Sequence, residues 1–243
     1  MKLNFTVIIC AVAAIICAAI VGNAYKYKFK TTETIAVTGL AEKEFESDKI
    51  VWDATYSKKS MDLKSAYAEL KDDESKIKSY LAKKGVTENE MVFSAITITK
   101  DFEPKIDANG RQYGTDFTGY SLSQSVNVDS KEIEKVEKIS REATELIEDG
   151  IELNSSAPSY YYSKLSELKL DLLAKASADA KQRAEVIAKN SGGNLGDIKK
   201  CNMGIFQITG LDTNEDFNSG GAFNTTSKSK KATITVRIDF GVK

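Results

Sequence analysis

Residues 232–242 read ATITVRIDFGV, and apolar side chains occupy every second position of this stretch. Those positions are Ala232, Ile234, Val236, Ile238, Phe240 and Val242. Side chains along a β-strand alternate between the two faces of a sheet, so this period predicts a strand that buries one face. At a sheet edge, such a strand would have outer backbone groups open to pairing with another chain. We therefore expect a half-buried C-terminal strand, and self-association through it if it lies at an edge.

Upstream of this strand, the longest helical pattern runs from about Lys164 to Asn190. Its apolar stripe passes from leucine into alanine, through Leu165, Leu168, Leu172, Ala176, Ala180, Ala184 and Ile187. The small alanine side chains allow a neighbouring element to approach the helix closely. Leu170 and Val186 fall outside the stripe, and a second apolar face is typical of contact with another subunit. We predict Leu170 and Val186 as interface residues.

The rest of the chain divides into shorter patterns. Alternating or β-branched runs predict strands at residues 34–39, 49–57, 91–99, 120–128, 151–153 and 197–208. With the helices between them, the order β-β-α-β-β-α-β-α-β-β predicts an α+β fold. We expect a mixed or antiparallel sheet with amphipathic helices packed on one face, preceded by an N-terminal hydrophobic segment.

Two further helices and two long connections complete this expectation. One helix is predicted from an N-cap at Ser60 to a stop at Gly85, and the other from a capping box at Asp129 and Glu132 to Gly150. The polar segments 101–116 and 209–231 are long for simple connections, and we predict both as loops, the second one mobile.

The composition excludes several classes of function. With 34 basic and 35 acidic residues, the net charge is −1, so no overall positive field attracts nucleic acid. Histidine is absent, which removes the commonest general base and metal ligand. Cys10 and Cys17 lie in the apolar N-terminal run, so Cys201 is the only thiol of the soluble part. We expect no catalytic residue, no cofactor and no metal site.

Residues 5–21, FTVIICAVAAIICAAIV, have the composition of a segment that enters a membrane. Small residues at 22–24 offer a signal-peptidase site, with cleavage after Ala24. The alternating aromatic and lysine residues at 25–30 fit instead a retained anchor at the membrane interface. Because more lysines follow the run than precede it, charge alone would place the domain in the cytoplasm. We assign residues 1–30 to this anchor or signal segment and residues 31–243 to one α+β domain.

Several motifs of that domain resemble the SIMPL family of domains of unknown function. The resemblance covers roughly Thr34 to Val242 and includes TIAVTG at 34–39, Asp48 before the second strand and GYSLSQSVNV at 119–128. Ser47 stands where the family usually has proline. The strongest part is the pattern of the long helix: Ala174, Ala178, Asp179, Ala180, Arg183, Ala184, Ala188 and Gly192, leading into Leu195-Gly196.

This resemblance implies an exported or membrane-anchored bacterial protein of the cell envelope, with a suggested role in envelope or oxidative stress and no accepted catalytic residues. It favours a periplasmic or other extracytoplasmic domain, anchored in the inner membrane, over the cytoplasmic location that the lysines indicate.

Two functional hypotheses follow. The first is a non-enzymatic envelope protein that acts through self-assembly or through contacts with an unknown protein partner. Tyr160, Tyr161 and Tyr162 would then form an aromatic interface patch. The alternative, in which one or two of them cover the helix entry and the sheet edge, is the commoner role of such aromatic residues. The alternative is a carboxylate-based hydrolase or small-ligand-binding domain of the envelope. Its candidate acid–base groups are Glu44, Glu46, Asp48 and Asp53.

Overall fold

The computed structural model describes residues 5–30, 33–216 and 218–242. Within them the helices are α1 (Phe5–Lys30), α2 (Leu63–Lys83), α3 (Ile133–Glu142) and α4 (Leu165–Asn190). The strands are β1 (Thr34–Glu46), β2 (Lys49–Ser60), β3 (Met91–Phe93), β4 (Thr97–Ile106), β5 (Gln112–Ser130), β6 (Leu153–Ser155), β7 (Ser159–Tyr161), β8 (Leu195–Met203), β9 (Gln207–Gly210) and β10 (Ser229–Val242). The predicted α+β class is confirmed. The predicted domain boundary at Thr31 lies outside the described residues.

The C-terminal strand lies at the centre of the first sheet. β10 pairs antiparallel with β1 from Ser229 to Gly241, and with β8 and β9 on its other side. The prediction of a half-buried strand is confirmed, because α4 covers one face of β10 while the other face is more polar and more exposed. The condition for its self-association, a position at the sheet edge, is not met. β1 forms one edge of this sheet, and β8 and β9 form the other.

The alanine stripe of α4 packs against this sheet at very short range. A Cβ atom at Gly39 of β1 would lie 2.1 Å from the Ala176 carbonyl oxygen and 2.8 Å from Ala180 Cβ. Because no real side chain tolerates such distances, glycine at position 39 and alanine at positions 176 and 180 allow this approach. The buried core between helix and sheet also contains Val37, Ile208, Ile234, Val236, Ile238 and Phe240.

A second antiparallel sheet has the order β3–β5–β2–β6, with β4 also paired to β5 and β7 also paired to β2. α2 and α3 cover one face of it and enclose a separate core around Trp52 and Tyr56. Trp52 Nε1 donates to Ser155 Oγ at 3.0 Å, and the Tyr56 hydroxyl donates to Gln124 Oε1 at 2.8 Å. Both buried polar ends therefore have partners. The strands thus form two sheets, where the sequence predicted one.

Residues 101–116, predicted as a loop, are a β-hairpin. β4 pairs with β5 out to Ile106 and Gln112. The Asp107 carboxylate closes the turn by accepting the backbone N–H groups of Asn109 and Arg111, each at 2.9 Å. We call residues 101–118 the arm. The two strands were not predicted from the sequence, because Pro104, Gly110 and Gly114 are of residue types that are more frequent in turns.

Other predicted boundaries are also corrected. Residues 91–99 divide into β3 and β4, residues 197–208 divide into β8 and β9, and the short strand expected at 151–153 lies at 153–155. Asp62, and not Ser60, caps α2, because its carboxylate accepts the Ser65 N–H at 2.9 Å. Asp129 lies in β5, which continues to Ser130, so the expected capping box does not form there.

α1 precedes the first sheet and is exposed along the part whose side chains are described. The 20 residues Ile8–Tyr27 are long and apolar enough to cross a membrane. A signal sequence has the same length and composition, so this helix fits either a signal or an anchor.

Candidate functional site

The residues with the family-like pattern meet where α4 crosses β1. Asp179 accepts the backbone N–H of Leu40 at 2.9 Å and Arg183 Nε–H at 2.8 Å. These donors hold the pKa of the Asp179 carboxyl below its usual range, and the Leu40 amide has the largest effect. Asp179 therefore accepts the hydrogen bond of the Leu40 N–H, which would otherwise be available to a neighbouring strand.

This contact divides the outer edge of β1 into two parts. On the C-terminal side, Lys43 forms an ion pair with Asp171 of α4 at 3.6 Å, and Glu42 pairs with Lys231 at 2.8 Å. On the N-terminal side, residues 34–38 read TIAVT and carry no charge. We call residues 34–38 the open segment of β1. Charged side chains are a common means of protecting a sheet edge, and they occur only on the other part.

A groove of about 630 Å³ lies between the open segment and the C-terminal half of α4. Its lining residues are Val37, Thr38, Asp179, Gln182, Arg183, Val186 and Ile187. Val186 is 55% exposed and Ile187 is 45% exposed, so one end of the helix wall is apolar and accessible to a partner, while Asp179, Gln182 and Arg183 make the rest of it polar. The groove therefore includes the predicted interface residue Val186. The other, Leu170, is exposed elsewhere on α4.

The arm is a second accessible apolar surface. Phe102 lies opposite Phe117 in the hairpin, with ring centroids 5.7 Å apart, and Phe117 contacts Tyr120 at 5.1 Å. Phe102 is 55% exposed and Ile106 is 59% exposed. The neighbouring positions 101, 103 and 105 are charged and point to the opposite face, because side chains alternate along a strand. This surface was not predicted from the sequence, because its turn-forming residues indicate a loop.

The tyrosine triplet lies between the two sheets. Tyr160 contacts the second core, and its hydroxyl donates to Glu137 at 2.8 Å. Tyr162 packs on Phe45 of β1, with ring centroids 4.8 Å apart. All three tyrosines, Tyr161 included, are half-buried. These contacts agree with the alternative that the tyrosines cover the helix entry and the sheet edge. Binding of a partner by the triplet stays a prediction.

Asp48 belongs to the same junction. Its carboxylate accepts the Ser163 N–H at 2.7 Å and the Ser163 hydroxyl at 2.5 Å, and its own N–H donates to the Tyr161 carbonyl at 3.0 Å. The residue before it, Ser47, donates its N–H to the Lys228 carbonyl at 3.0 Å. The Asp48 carboxylate thus fixes the short connection from β1 to β2.

A family model described as SIMPL, a protein family of unknown function (DUF541), matches residues 35–240. The chain belongs to the SIMPL family. No curated protein matches it. The predicted resemblance is therefore confirmed, and it includes both sheets and the crossing of α4 over β1. In this SIMPL chain, the motif residues Gly39, Asp48, Asp179 and Ala180 hold the fold together by the contacts described above.

The SIMPL domain also contains a buried lysine that the sequence analysis missed. Lys230 of β10 is 2% exposed, and its Nζ donates to the Asn224 carbonyl at 2.5 Å. Burial lowers the pKa of Lys230 to about 8, and nearby Glu215 opposes this shift. Glu215 in turn accepts the Gly210 N–H at 3.0 Å and the Asn224 side-chain amide. This network connects residues 210, 215, 224 and 230 within the stretch 209–231, which the sequence predicted as a mobile loop.

The candidate acid–base carboxylates of this SIMPL chain lie in different surroundings. Asp53 accepts the Asn127 side-chain amide at 2.9 Å in the second sheet, and Asp48 binds Ser163 at the junction. Glu44 is an exposed residue of β1, in the first sheet. Cys201 is an exposed residue of β8.

Proposed function

We propose that this SIMPL chain is a membrane-anchored protein of the cell envelope that acts without catalysis, by binding other protein chains. The apolar span Ile8–Tyr27 supports the anchor. α1 ends at Lys30 and β1 begins at Thr34, so three residues connect them. Three residues reach about 10 Å at full extension, so an anchored domain would stand directly at the membrane surface.

The arm is the observation that carries this proposal. A two-stranded hairpin has little stability of its own, and this one exposes Phe102 and Ile106 to solvent. Exposed apolar patches of this kind mark contact sites. Asp101, Glu103, Lys105 and Asp116 give the opposite face charges of both signs, including an ion pair between Lys105 and Asp116 at 2.5 Å. Mixed charge favours a protein partner over an anionic lipid surface.

Photo-crosslinking in the full-length chain tests this function. A photoreactive amino acid at Phe102 should form adducts with other proteins in intact cells, because this side chain lies on the apolar face. The same group at Glu103, the next residue, points to the charged face and is the matched control. Adduct formation that is equal at the two positions, or absent from both, would contradict binding through the arm.

The proposal includes a role in envelope or oxidative stress defence, which the family resemblance implies. If the chain acts by binding, replacing Phe102 and Ile106 with serine should lower peroxide tolerance as much as deleting the gene. Cys201→Ser should keep normal tolerance, because this thiol forms no disulfide and is the only one of the soluble part. A loss of tolerance in the Cys201→Ser strain alone would indicate thiol chemistry instead.

A further inference from the structure

We propose that the open segment of β1 pairs with the same segment of a second copy of this chain, forming one continuous sheet across two molecules. The inference deepens the proposed function and rests on its membrane anchor. The first observation is that protection of the β1 edge stops abruptly. Asp179 bonds the Leu40 N–H and Asp171 pairs with Lys43, whereas residues 34–38 have neither a charge nor such a contact.

The orientation of the backbone defines the pairing. The register between β1 and β10 runs without a bulge from Thr34 to Glu46. The Leu40 N–H points outward, toward Asp179, so the N–H and C=O groups of every second residue point outward with it. In the open segment these residues are Thr34, Ala36 and Thr38.

An antiparallel pair with Ala36 on its two-fold axis uses all these groups. Ala36 would exchange both backbone hydrogen bonds with Ala36 of the second copy, and Thr34 would do so with Thr38. Leu40 lies just beyond this ladder, so the Asp179 contact remains in place. The pairing therefore ends where the protection of the edge begins.

The groove supplies an apolar contact beside the new strand pair. Ile35 and Val37 point toward the α4 side, and Val186 and Ile187 are exposed on the helix wall. On a two-fold axis, the groove of each copy faces that of the other. Arg183 is bound to Asp179 of its own chain at 2.8 Å, which reduces repulsion between the two helices.

A second copy fits this edge better than an unrelated peptide. The segment TIAVT is uncharged, rich in β-branched residues and complementary to itself in antiparallel register. It also begins four positions after the end of α1. Anchored copies would therefore present this edge at the same height above one membrane, which raises their effective concentration.

Disulfide trapping in membranes tests the pairing in the full-length chain. Cys10, Cys17 and Cys201 are first changed to serine, and single cysteines are then introduced. Ala36→Cys should give an oxidised homodimer, because Cα atoms of a directly hydrogen-bonded pair are about 5.5 Å apart, within disulfide range. Glu44→Cys, on the protected part of the same edge, should remain monomeric. Equal trapping at both positions, or trapping at Glu44→Cys alone, would overturn the proposal.

A charge variant provides a second test. Light scattering of the detergent-solubilised chain should give a dimer mass that falls to the monomer mass in Ala36→Lys, because two ammonium groups would meet on the axis. Glu44→Lys should keep the dimer. A monomeric wild type, a dimer that persists in Ala36→Lys, or a heteromeric adduct as the main product from Ala36→Cys would overturn the assignment. Arm variants such as Phe102→Ser should leave the dimer intact, so failure of the arm and failure of this edge are distinguishable.

Discussion

Gly39 shows how one residue determines the distance between α4 and the first sheet. The backbone of β1 lies directly under the helix, and a Cβ at this position would be 2.1 Å from the Ala176 carbonyl oxygen. Neither partner is a flexible side chain that could move aside. Any larger residue must therefore displace the helix.

We expect Gly39→Ala to lower the free energy of unfolding by about 3 kcal/mol, the upper range for overpacking of a core. Gly114→Ala is the matched control, because its new Cβ would meet only Lys105 Cδ at 3.8 Å. Thermal unfolding of the detergent-solubilised chains measures both effects. Similar midpoints for the two variants would show that the helix can move away at little cost.

Lys230 leads to a prediction about pH. Its folded pKa of about 8 lies below the ordinary 10.5, so the unfolded chain binds more protons between these values. The stability contributed by this residue therefore rises with pH in that window. Between pH 7.5 and 9.5, wild type should gain about 2 kcal/mol relative to Lys230→Met, which cannot titrate. Denaturant unfolding at several pH values measures the difference, and parallel pH profiles of the two chains would argue against a depressed pKa.

At the scale of elements, α4 both packs on β1 and protects part of its edge. Asp179→Ala removes the partner of the Leu40 N–H and should lower stability by about 1 kcal/mol, a typical value for one hydrogen bond. It should also tighten the dimer, because the open edge becomes longer by one outward-facing residue. Sedimentation measures the dimer dissociation constant. Asp171→Ala, which removes ion pairs but no backbone contact, should leave this constant unchanged, and equal tightening in both variants would contradict edge protection by Asp179.

The elements also show which features the sequence could predict. Side-chain alternation identified β10, and helical spacing identified α4 with its alanine face. The alternation of side chains shows which face of a strand is buried. In β10 this is the face that packs against α4. It does not report whether a strand has neighbours on both sides, so the edge position of β1 required the structure. Lys230 lies two positions before Ala232, on the inward-facing register of β10, but its burial was missed because residues 209–231 were predicted as a polar loop.

The arm shows a second reason why part of the fold could not be predicted from the sequence. Pro104, Gly110 and Gly114 interrupt it with turn-forming residues, although Phe102 and Ile106 keep the spacing of one strand face. The turn-forming residues therefore led to the prediction of a loop. Val186 lies outside the alanine stripe and is 55% exposed, and its role as an interface residue stays a prediction. The groove beside it depends on β1, which is distant in sequence.

At the scale of the whole molecule, the proposed anchor determines where the domain stands. We expect the full chain to stay in the membrane fraction after a carbonate wash, with an intact mass that retains residues 1–24. Alkaline phosphatase fused after Lys243 should be active, because export brings the domain outside the cytoplasm. An inactive fusion, together with a fluorescent cytoplasmic reporter at the same site, would reverse the topology and agree with the lysine asymmetry.

The pairing of β1 with β10 also determines the order in which the molecule can be completed. Thr34 pairs with Gly241, almost at the other end of the chain, whereas every strand of the second sheet lies between Lys49 and Tyr161. During synthesis or passage through a membrane pore, the second sheet can form before β10 is present to pair with β1. Until β10 emerges, β1 has two unpaired edges and α4 has no complete sheet to cover. A chaperone that shields residues 34–46 during this interval would therefore act before the final strand arrives and would be released by it.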